Sequence, residues 1–208
     1  MFGIHDFGLF LATGVLLNLT PGPDTLYILG RGLAQGRGAA VASALGISTG
    51  SIIHTFAAAF GLSAVLAASA SAFTVVKMGG AAYLCYLGAR MLFARASANG
   101  LRTEFASSGF RAVYRQGLIT NLLNPKVALF FLAFMPQFIA ANSHAKFAAF
   151  VTLGLCFVTT GTLWCLCLAW FSSVLGARLR GCNRFAEGLQ RSVGALFMLL
   201  GVRLAAAK

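Results

Sequence analysis

The chain has 208 residues, of which 59% are hydrophobic and only 10% charged, and its mean hydropathy is +0.83. A soluble domain carries roughly 25% charged residues, so these proportions exclude disorder, a collagen-like repeat and an ordinary soluble domain, and leave a membrane-embedded protein. The net charge of +12 would suggest nucleic acid in a soluble chain; here its meaning depends on where the charges fall.

Six apolar segments follow one another, spanning residues 7–30, 39–68, 73–93, 116–139, 147–175 and 192–207. Each approaches the roughly 20 residues that a membrane-crossing helix needs. The segments are unbroken rather than alternating, which disfavours a β-barrel. The 24 glycines suit helices that pack closely through small residues. Lys or Arg is missing ahead of the first segment, so it reads as a retained span and not as a cleaved leader. One polar stretch, 94–115, reads as the single long loop, and the expected organisation is one membrane domain over 1–208.

The charges fall in alternate connections. Arg31 and Arg37 follow the first segment. Arg90, Arg95, Arg102, Arg111 and Arg115 surround the long loop with Glu104. Arg178, Arg180, Arg184 and Arg191 precede the last segment with Glu187. The opposite side offers Asp6 and Lys146, with Arg203 and Lys208 at the end. Positive residues stay cytoplasmic, so both termini are expected outside. The basic residues are thus a topology signal, aided by anionic lipid, and dispersed Arg without a binding motif predicts no nucleic-acid partner.

Two prolyl motifs divide the chain. Pro21-Gly22-Pro23-Asp24 lies in the first segment and Asn124-Pro125-Lys126 in the fourth, with Pro23 and Pro125 offset by 102 residues. The halves, about 1–100 and 110–208, each hold three segments. An odd number makes the second half enter from the other side, which predicts two inverted three-helix repeats. A proline inside a helix removes a donor and frees the carbonyl four residues back. Helices one and four are therefore expected to break, exposing the carbonyls of Leu17, Leu19 and Asn121. Such backbone is tolerated at membrane depth where protein or a wet cavity satisfies it.

Asn18, Thr20, Asn121 and Asn124 supply further polar groups near the breaks. A helix starting at Pro23 would present a positive dipole end to a carboxylate. Asp24 is the one acid inside any segment, and an Asp near a helix centre costs about 2.5–3.5 kcal/mol on insertion scales. It is a candidate to take up and release a proton. Lys126 sits at the matching position, so the pair suits a zwitterion; the alternative is a static Asp24–Lys126 salt bridge. His54 could line the pathway or serve as a structural hydrogen-bonding group. Gly46 and Gly50 form a small-xxx-small packing pair. Lys77 reads as a snorkelling residue, and Tyr83 and Tyr86 read as wall packing, with substrate contact as the alternative.

The cysteines, Cys85, Cys156, Cys165, Cys167 and Cys182, read as small apolar residues. Cys165 and Cys167 would face nearly opposite ways on a helix. His5, Asp6 and His144 are too dispersed for a metal site, and no catalytic motif occurs. Neither an enzyme nor a cofactor is expected.

Residues 19–32 (LTPGPDTLYILGRG), 44–50 (ALGISTG), 77–92 (KMGGAAYLCYLGARML) and 117–138 (GLITNLLNPKVALFFLAFMPQF) together resemble the lysine exporter superfamily, the LysE/RhtB-type amino-acid efflux permeases of bacteria. That resemblance implies roughly six helices in the inner membrane. It also implies export of amino acids or their analogues driven by ion motive force, with Asp24 and both prolyl motifs in the transport machinery. Members of the family resemble exporters of lysine, threonine, homoserine, cysteine-pathway compounds or leucine, so the substrate stays open. The expected function is secondary active export, with the proton as coupling ion. The expected partners are an amino acid, the bilayer and, as an alternative to a monomer, a second copy of the chain. A passive channel and a membrane assembly subunit are the rival readings.

Overall fold

A computed structural model describes residues 2–68, 108–140 and 142–172, together with single helical positions at 78, 82, 85, 86, 89, 195, 198, 199 and 202. The third and sixth predicted segments therefore lie almost wholly outside the described residues, as do Lys77, Tyr83 and Cys182.

Six α-helices are described: α1 (Phe7–Leu19), α2 (Pro23–Gln35), α3 (Arg37–Ala68), α4 (Phe110–Leu122), α5 (Pro125–Leu129) and α6 (Lys146–Trp170). A π-helical turn (Phe130–Phe134) and a 3-10 turn (Met135–Phe138) continue α5. Pro136, lacking an N–H, falls where the regular ladder is lost. Among the described residues there is no strand, only an isolated antiparallel bridge between Ile4 and Ile139.

The part of α3 from Arg37 to Gly61 and all of α6 are each 25 residues long and apolar enough to cross a membrane. Phe110–Leu122 and Pro125–Phe138 meet the same test as a pair bent by 47°. The helix ends have local causes. Pro23 and Pro125 each stand in a helix's first turn, where a missing N–H costs nothing. The Asn124 side chain caps α5 by accepting from the Lys126 backbone N–H at 3.1 Å. Gly36, at φ +83°, lets α2 stop and α3 start immediately after it.

Two expectations from charge are corrected. Arg31, read as a loop residue, lies inside α2 with only 3% of its surface exposed. It donates to Gln35 on its own helix and to Gln116 on α4. Residues 110–115, read as the end of the long loop, are helical. Charge reports distance from the apolar slab, and a helix can carry Arg111 and Arg115 beyond it.

Packing is tightest where side chains are smallest, as expected in the absence of a hydrophobic drive between helices. A β-carbon on Gly154 of α6 would collide with the Thr55 side chain of α3. One on Gly117 of α4 would lie 2.7 Å from the Ser43 carbonyl of α3. An aromatic cluster fills the space between α1, the 130–138 segment and α6. Within it Phe130 stacks on Phe157 with ring centroids 4.4 Å apart, and Phe10 meets Phe138 edge-on at 5.3 Å. Such pairs contribute about 0.5–1.5 kcal/mol each beyond area burial. A second cluster joins Ile28 and Leu29 of α2 to Ala40, Ala44 and Ile47 of α3 and Leu168 of α6. Between the two clusters lies the polar centre.

Candidate functional site

Asn121, near the end of α4, is 1% exposed and organises this centre. Its amide nitrogen donates to Asp24 Oδ2 at 2.8 Å. Its amide oxygen accepts from Ser51 Oγ at 3.3 Å. Its backbone carbonyl lies 3.3 Å from His54 Nε2. Pro125 cannot pair this carbonyl; the Asn124 backbone N–H donates to it at 3.0 Å, and a side chain from α3 reaches it as well. His54 is also stacked on Phe131, 5.7 Å between centroids.

Lys126 plays the reciprocal part at α1. Its ammonium donates to the Leu17 carbonyl at 3.0 Å and to the Thr20 carbonyl at 2.9 Å. Pro21 deprives the first of these of its helical partner. A cation at a helix C-terminus also complements the dipole. Lys126 and Asp24 form no direct ion pair; the ammonium goes to α1 and the carboxylate to Asn121. Lys126→Met would leave both carbonyls without their charged donor, and bonds of that kind are worth roughly 1.5–3 kcal/mol each. The expected outcome is a clear fall in melting temperature in detergent, and an unchanged value would contradict the capping role.

Asp24, Lys126, Asn121 and Asn18 line one cavity of about 30 Å³, room for about two waters. Ser48, Ser51, Thr162 and Trp164 also line it, beside Ile47, Phe157 and Val158. Thr20 and Asn124 stand outside it. Thr20 Oγ1 donates to the Leu16 carbonyl, and Asn124 is the cap of α5. His54 meets the cavity only through Asn121. Gly22 backs onto Lys126, where a β-carbon would sit 3.4 Å from Nζ.

The family model for LysE type translocators matches residues 15–208. The chain belongs to the LysE family. A homoserine/homoserine lactone efflux protein of Salmonella typhimurium is 31% identical over 96% of this chain and 95% of its own. Uncharacterized membrane proteins of Vibrio cholerae and Pseudomonas aeruginosa are each 32% identical over 99% of this chain and 98% and 97% of theirs. No solved structure matches.

Several residues of this polar centre escape a motif reading. Ser48 and Thr162 bond to each other at 2.8 Å across 114 positions. The available signal was Thr160-Gly161-Thr162 and Trp164 deep inside an otherwise apolar run, since Trp is usual at membrane interfaces rather than mid-span. Gln116 joins Arg31 to Tyr27, whose hydroxyl donates to it at 3.1 Å. Among the described residues no group of His, Cys, Asp and Glu could hold a metal.

Proposed function

We propose that this LysE-family chain is a secondary exporter of the bacterial inner membrane that carries amino acids or close analogues outward in exchange for protons. The observation that carries the reading is Asp24: a carboxylate at the start of α2, held on one oxygen by Asn121, with the other oxygen buried and unpaired, in the lining of a small polar cavity. Asp24 alternates between protonated and substrate-bound states, and Lys126 supplies the opposing charge for a zwitterion.

Two inverted repeats supply the motion. In support, the centre contains two similar arrangements. Asn121 of α4 lies against Gly50 of α3 and bonds Ser51, while Asn18 of α1 lies against Gly161 of α6 and bonds Thr160. In this reading each pairing joins the first span of one repeat to the second span of the other. Rocking one repeat against the other opens the cavity to one side at a time. A volume near 30 Å³ is too small for an amino acid, which fits a closed state. The basic loops face the cytoplasm and both termini the outside.

The efflux activity of the Salmonella relative supports amino-acid cargo. The test is transport in proteoliposomes under an imposed pH gradient, using labelled amino acids that include homoserine. The expected flux is saturable, concentrative and abolished by a protonophore. Non-saturable flux indifferent to the protonophore would indicate a passive channel, and absence of flux would favour an assembly subunit.

A further inference from the structure

The cavity contains two groups with unmet hydrogen-bonding capacity. Asp24 Oδ1 and Trp164 Nε1 are buried and have no partner among the described residues, and both residues line the same space. Several other polar side chains around it are engaged with one another. Ser48 bonds Thr162, Ser51 bonds Asn121 and Asn18 bonds Thr160. Lys126 has committed two of its three ammonium protons to the carbonyls of α1. A buried polar atom without a partner is costly, so such atoms mark where something else binds.

Their chemistry is opposite. A carboxylate oxygen accepts, and an indole N–H only donates. An occupant must therefore offer a donor to Asp24 and an acceptor to Trp164. A zwitterionic amino acid matches its charges first: its ammonium to Asp24, its carboxylate to the remaining proton of Lys126. Trp164 is then free to donate to a neutral acceptor, which the substrate's own side chain can provide. Besides Asp24 and Lys126 the lining holds no charged group, and Ile47, Phe157 and Val158 make part of it apolar, which suits a small uncharged side chain.

We propose that Trp164 contacts the substrate and sets specificity. Its indole N–H donates to a side-chain oxygen, so the site favours small amino acids bearing a hydroxyl or carbonyl oxygen over apolar molecules of the same shape. This inference rests on the export reading and adds to it. A site built to hydrogen-bond a substrate oxygen penalises the analogue lacking it, because its own polar group is then stranded.

The test compares transport efficiency for two isosteric pairs, threonine with valine and homoserine with norvaline, in wild-type and Trp164→Phe proteoliposomes. The natural chain is expected to favour the hydroxylated member by about tenfold or more. Trp164→Phe keeps an aromatic ring and removes the donor, and should bring each ratio to within about twofold. An unchanged ratio in a transporting Trp164→Phe protein overturns the role of Trp164 while leaving export standing. No transport of any amino acid by the natural chain overturns both.

A binding measurement covers the case in which Trp164→Phe does not fold. The chain has two Trp, and Trp170 is exposed and lies under Arg37 at 5.1 Å, away from the cavity lining. Trp170→Phe therefore leaves Trp164 as the single indole. Homoserine and threonine should shift its emission at concentrations where norvaline and valine do not. Equal responses, or none, would count against the proposal.

Discussion

Asp24→Asn is expected to reduce pH-gradient-driven efflux by about a hundredfold or more, while the protein still inserts and elutes as a single species in detergent. The size follows from removing one member of a desolvated charged contact, which costs roughly 2–5 kcal/mol. Asn has the same shape as Asp, and its oxygen can still accept from Asn121 Nδ2, the bond measured at 2.8 Å. The local frame therefore survives. What disappears is a negative charge for the ammonium and a site that can release a proton. Counterflow separates those two losses. In counterflow, labelled and unlabelled substrate exchange without net proton movement. If Asp24 serves only as the proton carrier, counterflow persists in Asp24→Asn; if it also binds the ammonium, counterflow disappears too. Undiminished gradient-driven efflux would falsify the assignment of Asp24 altogether.

How much of this was legible in the chain depended on whether the cause was local. Proline acts on its own turn, so helix starts at Pro23 and Pro125 could be read directly. Apolar runs report depth in a bilayer, so α3 and α6 emerged within a few residues of their expected starts. The destination of each freed carbonyl was not legible. Lys126 is 109 positions from Leu17, and His54 is 67 from Asn121, and nothing in either local pattern announces the partner. Arg31 was misplaced for the same reason. Its charge suggested a loop, but Gln116, 85 positions on, accepts from it and allows burial inside α2. Trp164 was hidden differently: an indole in an apolar run counts as apolar until its N–H is seen without a partner. Cys165 and Cys167 did behave as helical geometry requires, one buried and the other exposed.

The residue expected to tolerate change least is Gly46. It stands where α3 crosses α4, and a β-carbon there would run into the carbonyl oxygen of Tyr114 and lie 2.9 Å from the Leu118 backbone nitrogen. Both obstacles are main chain, so neither can rotate aside. Gly46→Val should therefore abolish recovery of folded protein, and Gly46→Ala should destabilise by about 1–3 kcal/mol or more, the usual range for overpacking. Gly38, at the start of the same helix, has open space where a β-carbon would stand, with nothing within 4 Å. Gly38→Ala should be neutral or stabilising by up to about 1 kcal/mol, because Ala is the better helix former. Size-exclusion profiles and melting curves in detergent read all three. A Gly46→Val protein that melts like the natural chain would mean that α3 and α4 do not approach this closely. The crossing also governs the site. One turn along, a β-carbon on Gly50 would lie 2.6 Å from Asn121 Oδ1, and Tyr114 donates to Thr49 at 2.9 Å. Pushing α4 outward at Gly46 would carry Asn121 away from Asp24. A Gly46→Ala protein that still folds should accordingly lose transport out of proportion to its lost stability.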